Sequence, residues 1–303
     1  MRSLTDTRRR RYLADNPRFL AGVFMSPAVI YIIALVGFPF VLAIVYSFTN
    51  ITTGNPNLEF VGLDTFRTVL ADPVFREGLW NTLWFAVIAN LLVVVLATGL
   101  AELLTKDFKG KWLVRFLILL PWVAPVSLAT VTWLWTLDSI FSPIDWALRE
   151  VGLITENMYW LGKPGLAMAS VIAVHTWRIV PLAAVIVMAG LIAIPSEIND
   201  AVAVDGAGTW RRMFQVTIPL LAPIIAVAVL FGVILTISDM SVVFILTRGG
   251  PTNSTQVLST WAFFKGIEGG ALGQGAAVAL FLLPVLVAIT AVVLRLARRR
   301  EVM

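Results

Sequence analysis

The sequence predicts an all-α integral membrane protein with six transmembrane helices. Three observations carry that prediction. Of 303 residues, 59% are hydrophobic and 14% charged, against about 25% charged in a soluble domain. Six stretches, 20–48, 79–104, 112–137, 166–194, 219–246 and 271–296, reach the about 20 predominantly apolar residues that a spanning helix needs. The segments between them alternate between rich and poor in Lys and Arg, as the retention of basic residues on the cytoplasmic side requires.

The first stretch follows Arg8, Arg9, Arg10 and Arg11. Its apolar run exceeds the about 7–15 residues of a signal peptide core, so it reads as an uncleaved span with a basic cytoplasmic segment, 1–19, before it. With that end inside, 16 of the 23 basic residues are cytoplasmic: Arg2, Arg8–Arg11, Arg18, Lys106, Lys109, Lys111, Arg115, Arg211, Arg212, Arg295 and Arg298–Arg300. The outside loops hold six, and Arg178 lies within a span. The basic residues at 1–19 and 297–303 then anchor to the inner leaflet, which accounts for the net charge of +5 without nucleic acid.

Two loops outside, 49–78 and 138–165, precede the second and fourth spans. Trp80, Trp84, Trp135, Trp146 and Trp160 lie near their edges and read as an interfacial belt. Prolines interrupt nearly every span: Pro27, Pro39, Pro121, Pro125, Pro181, Pro223 and Pro284. Broken helices are tolerated in lipid where neighbours or a cavity satisfy the freed backbone, which favours a channel or transporter over an anchor. No internal repeat is visible, which weakens an inverted-repeat carrier.

The passage "DAVAVDGAGTWRRMFQVTIPLLAP" (200–223) lies in a cytoplasmic insert, 195–218. Locally it predicts helix, break, helix. Ser196 is expected to cap the first helix, and Gly206 and Gly208 to permit the turn. Trp210, Phe214 and Ile218 form a second apolar stripe. Such an exposed helix suits a partner's groove. A connector packed on its own bundle fits the same periodicity.

This passage resembles the "EAA" loop of permease subunits in binding-protein-dependent ABC importers. That family's pattern is Glu-Ala-Ala, three residues, Gly, nine residues, Ile, one residue, Leu-Pro. Here Asp200, Ala201 and Val202 are followed by Gly206, Val216, Ile218 and Pro219 at the same spacing, and Asp205-Gly206-Ala207 is intact. "FVGLDTFRTVLADPVFREGLWNTLWF" (60–85), "IPSEINDAVAVDGAG" (194–208) and "FILTRGGPTNSTQVLSTWAF" (244–263) are similar to the MalF-like permeases of its carbohydrate branch. The resemblance spans residues 20–296, the expected permease domain. It implies that Asp200, Ala201, Val202, Ala203, Asp205, Gly206 and Ala207 form a coupling helix between spans four and five, seated on an ATP-binding subunit. It further implies a second, MalG-like permease, two ATP-binding subunits and an extracytoplasmic solute-binding protein. ATP would close the nucleotide-binding pair, turning the cavity outward, and hydrolysis would reset it.

The chain itself lacks a phosphate-binding loop. Gly110-Lys111 and Gly162-Lys163 have neither the upstream Gly nor the following Ser or Thr that such a loop needs. ATP and Mg²⁺ are therefore expected on partner subunits, with no cofactor here and no enzymatic activity. The single His175 and the absence of Cys exclude a His/Cys metal centre.

Ionisable residues within spans cost about 2.5–3.5 kcal/mol each on insertion scales. Arg178 lies 12 residues into the fourth stretch, about 18 Å deep. Asp239 lies about 10 Å from the outer end of the fifth. Two readings fit: they line a solute site, or they pair and neutralise each other. Because the family's sugar contacts come from spans four to six, the resemblance implies Arg178, His175, Ser238, Asp239 and Ser241 as solute-binding candidates. Trp177 could stack a sugar ring, or simply pack. The rival functions are an ion-coupled secondary carrier using Arg178 and Asp239, and a membrane scaffold without transport.

Overall fold

The computed structural model describes residues 17–301, entirely as helices and their connections. Among them the only strand-like pairing is an isolated bridge between Thr49 and Phe60. The expected basic cluster Arg8–Arg11 and the last two residues, 302 and 303, lie outside the described residues.

Helix α1 (Pro17–Ile32) passes through a π turn at Ile33–Gly37 into α2 (Phe38–Ser47). Phe24, Ile30, Tyr31 and Ile33 are all more than half exposed, as a helix facing lipid or a neighbour would be. A loop then carries the short α3 (Asp64–Ala71). Helix α4 (Pro73–Thr105) begins where Asp72 accepts a hydrogen bond from the Val74 amide at 2.9 Å, an N-cap that satisfies one orphan donor.

The third predicted span is not one helix. Helices α5 (Lys111–Val123) and α6 (Val126–Thr136) are bent by 96° at their junction. Ala124, before Pro125, is extended at ψ 139°, because the proline ring disfavours helical geometry in the residue preceding it. Among the described residues, five helices are therefore long and apolar enough to cross a membrane, with this bent pair as a sixth candidate.

Helix α7 (Pro143–Glu150) organises the second outer loop. Its Asp145 is fully buried and accepts from the Met158 amide at 2.8 Å and Trp160 Nε1 at 2.7 Å. Trp160 thus belongs to the packed interior of this loop, whereas Trp80, Trp84, Trp135 and Trp146 stay exposed. Before α7, Asp138 turns the chain by accepting from the amides of Phe141 and Ile140, and these bonds hold its carboxyl below the usual range.

Helix α8 (Pro164–Ala193) packs along α4. Their shared core is made largely of small and branched residues: Ala89, Val93, Ala97, Ala183, Ala184 and Val187 are all buried. Small side chains let backbones approach closely where lipid offers no hydrophobic drive. After α9 (Ser196–Val204) and α10 (Thr209–Arg212), a π turn at Met213–Thr217 leads into α11 (Ile218–Ser238). Thr209 to Ser238 runs as a single helix of 30 residues. The second helix expected in the insert, bearing Trp210 and Phe214, is therefore the start of span five. At Gly190 of α8 an added Cβ would lie 2.6 Å from Ile224 and 2.9 Å from Leu221, so α8 and α11 approach closely there.

Span five also ends earlier than its apolar run. The chain breaks after Ser238, and α12 (Ser241–Leu246) packs against α6 and α8. Helix α13 (Leu258–Phe263), a π turn at Phe264–Glu268 and α14 (Leu272–Glu301) complete the chain. Arg248 staples this region: its guanidinium lies over Phe244 and Phe264, 4.9 and 5.3 Å from their centroids, and donates to both oxygens of Glu268 at 2.8 Å.

Candidate functional site

The 195–218 segment is held by backbone chemistry. Pro195, not Ser196, occupies the N-cap of α9, and Ser196 is its first helical residue. The proline at ψ 141° already turns the chain out of α8, so no side-chain cap forms. At the other end the Gly206 amide donates to Ala203 and the Ala207 amide to Val202, at 3.1 and 3.2 Å. This paired closure needs a left-handed residue after the cap, and Gly206 supplies it at φ +66°.

Most of the predicted coupling residues are exposed to solvent. Asp200, Ala201, Ala203, Asp205 and Gly206 are exposed, while Val202 and Ala207 are half-buried. Apolar groups stand out beside them: Val204 is 87% and Trp210 75% exposed, and Trp210 stacks on Phe214 at 6.0 Å.

The second group of candidates lies where α11 stops. Asp239 is the C-cap of α11, and its Oδ1 accepts from the Ser241 amide at 2.7 Å. Its Oδ2 accepts from Arg178 Nη2 of α8, forming an ion pair whose side chains are 14% and 18% exposed. The two charges therefore meet, as one of the two sequence readings expects. Arg178 Nε is buried and makes no hydrogen bond. Ser238 is exposed and Ser241 half-buried beside the pair. Trp177 packs edge-on against Trp133 of α6 at 5.4 Å.

His175 stands behind this group. It is 1% exposed, edge-on to Phe85 at 5.0 Å, and its Nε2 lies 2.9 Å from Thr236 Oγ1. Thr236 gives its own proton to the Gly232 carbonyl at 2.7 Å. Its oxygen then accepts from Asn90 Nδ2 at 3.2 Å and from His175, which fixes the imidazole with its hydrogen on Nε2. Asn90, at 6% exposure, completes a polar network joining α4, α8 and α11. A Cβ at Gly232 would collide with Asn90 Oδ1. Sequence reasoning missed Asn90 and Thr236. The available signal was one carboxamide within the apolar run "FAVIANLLVVVL", overlooked because it carries no charge.

Comparison with known proteins gives the family and the fold. Residues 93–302 match the family described as binding-protein-dependent transport system inner membrane component. The chain is 31% identical over 293 residues to the sulfoquinovosyl glycerol transport system permease protein SmoG of Agrobacterium fabrum, covering 96% of this chain and 94% of that protein. It is 29% identical to the trehalose/maltose transport system permease protein MalF of Thermococcus litoralis, covering 81% and 82%. The fold matches a chain of a bacterial alginate ABC transporter, solved with its periplasmic protein bound to an alginate pentasaccharide, with TM-score 0.81, 20% identity and coverage of 95% and 98%.

Proposed function

Since the chain belongs to the family of binding-protein-dependent transport system inner membrane components, we propose that it is a permease subunit of an ATP-driven importer for a sugar or related polyol. It forms the translocation path with a second, MalG-like permease. Two ATP-binding subunits hold ATP and Mg²⁺, and an extracytoplasmic solute-binding protein delivers the solute. The relatives named for sulfoquinovosyl glycerol and for trehalose and maltose support the carbohydrate class. Both chain ends lie on the cytoplasmic side, as the distribution of Lys and Arg requires.

One observation carries the mechanism. The exposed α9 turn leads through Gly208 directly into the helix that runs from Thr209 to Ser238, and Asp239 caps the far end of that helix. Closure of the ATP-binding pair pushes the surface formed by Asp200, Ala201, Val202, Ala203, Asp205, Gly206 and Ala207. The helix carries that movement to the Arg178–Asp239 pair. There Arg178, Asp239, Ser238 and Ser241 meet solute hydroxyls with charge-assisted hydrogen bonds. His175, bonded to Thr236, ties α8 to α11 nearby.

The test is Gly206→Pro in the assembled transporter. Proline cannot adopt the positive φ of this position, so the variant should insert normally yet lose solute-stimulated ATPase activity. Unchanged stimulation refutes the coupling role. An ion-coupled carrier would instead transport without ATP-binding subunits and stop when an uncoupler collapses the proton gradient.

A further inference from the structure

The segment 247–256, between α12 and α13, carries two kinds of cost. Arg248, Thr252 and Asn253 lie in the left-handed region at φ 50°, 48° and 62°, and among the described residues no other non-glycine residue has a positive φ. That region is unfavourable for any side chain, and most of all for the β-branched Thr252. The Ser254 hydroxyl is also buried without a hydrogen-bond partner, which leaves its desolvation uncompensated. Strain of this kind persists only where surrounding contacts over-determine it, and it gathers at switch segments.

The contacts that hold the segment are few. It is knitted to itself: the Thr255 hydroxyl donates to the Gly250 carbonyl at 2.8 Å, the Thr255 amide to the Gly249 carbonyl at 3.2 Å, and the Gln256 amide to the Asn253 carbonyl at 2.9 Å. Both ends are fixed. Thr247 Oγ1 donates to the Val243 carbonyl of α12 at 3.0 Å. Past the other end Val257 and Leu258 are buried, and the Leu258 amide donates to Thr82 Oγ1 of α4 at 2.9 Å. Between those ends, among the described residues, one side chain bonds the segment to α4: Asn81 Nδ2 donates to the Asn253 and Gln256 carbonyls, both at 3.1 Å. The Arg248–Glu268 pair ties the segment to the π turn instead, and both its side chains are exposed, where water can replace it.

We propose that 247–256 is a movable strap, that Asn81 is its latch on α4, and that it lifts when the end of α11 moves. This rests on the importer reading above, in which movement reaches Asp239. Only Met240 and the six residues of α12 separate Asp239 from Thr247, so a displacement at the break reaches the strap through one short helix. Lifting breaks the two Asn81 bonds, releases Arg248, Thr252 and Asn253 from the left-handed region and brings the Ser254 hydroxyl to water. The relieved strain offsets part of the cost of opening the latch.

The chain has no cysteine, so an introduced thiol reports its own accessibility. Ser254→Cys is compared with Ser259→Cys, which lies past the fixed end with its hydroxyl equally buried and unpaired. Each variant, in the assembled transporter in nanodiscs, is treated with a charged maleimide with and without ATP and vanadate, and modification of this chain is read by mass spectrometry. Ser254→Cys should react about tenfold faster in the vanadate-trapped state, while Ser259→Cys stays protected in both. Adding Asn81→Asp should speed the Ser254→Cys reaction without nucleotide, because a carboxylate cannot donate to the two carbonyls. Equal Ser254→Cys rates in both states, in a sample whose ATPase activity responds to solute, overturn the strap and leave the importer reading standing. Simultaneous exposure of Ser254→Cys and Ser259→Cys also overturns it, as a general loosening of the loop and α13. An assembly without ATPase activity fails the importer reading itself, and the trigger of the strap with it.

Discussion

Arg178 of α8 and Asp239 at the end of α11 form an ion pair across 61 residues of sequence, at the break where α11 gives way to α12. The pair neutralises two charges that the bilayer would otherwise penalise. Arg178 Nε stays buried without a hydrogen-bond partner.

That arrangement separates two roles by charge exchange. Arg178→Ala or Asp239→Asn should each destabilise the protein by about 3 kcal/mol, because removing one partner strands the other in a low-dielectric site. The exchanged double variant Arg178→Asp with Asp239→Arg should recover thermal stability in detergent. It should not recover solute uptake if the pair contacts solute, since the donor and acceptor then stand in reversed places. Recovery of both would assign the pair to structure alone.

Gly206 separates backbone strain from steric block. Nothing lies within 4 Å of an added Cβ there, yet φ is +66°. Gly206→Ala should therefore cost only the left-handed penalty of about 1–2 kcal/mol and reduce, without abolishing, solute-stimulated ATPase activity. Gly206→Asn, which tolerates this conformation better, should fall between alanine and wild type.

The Asn90–Thr236–His175 network should respond to loss of its central oxygen. Thr236→Val keeps the shape but leaves His175 and Asn90 buried with one fewer acceptor, a cost of about 1–3 kcal/mol. Thermal unfolding of the solubilised complex measures it. Gly232→Ala should be worse, because its methyl group occupies the place of Asn90 Oδ1.

Asp145→Asn tests the outer loop. The amide still accepts one hydrogen bond but cannot offer carboxylate oxygens to both the Met158 amide and Trp160 Nε1. The loop should loosen, giving a red shift in Trp160 emission and faster proteolysis between α7 and α8, with the spans intact.

The spans were legible because hydrocarbon thickness and 1.5 Å rise per residue leave little freedom. Helix breaks were not. Pro27, Pro181, Pro223 and Pro284 all sit inside continuous helices, while Pro125 begins a new one. A list of prolines cannot distinguish them, because packing of neighbouring helices decides whether the freed carbonyl is tolerated. The end of α11 at Ser238 was equally hidden, since "SDMSVVFIL" reads as apolar continuation unless Asp239 is known to turn back on the Ser241 amide. Arg178 and Asp239 could each be singled out by charge. Their meeting depended on α8 packing against α11, which no local pattern encodes.

The contact of Gly190 with Leu221 and Ile224 gives the long helix a fulcrum. From Leu221 the shorter arm reaches back to Thr209, about 18 Å away, and the longer arm reaches Ser238, about 26 Å away. If the helix pivots at that crossing, a 2 Å sideways displacement at Thr209 swings Ser238 about 3 Å the opposite way, by the ratio of those arms. A single methyl at Gly190 would fill that notch, at 2.6 Å from Ile224 and 2.9 Å from Leu221, and wedge the two helices apart where they cross.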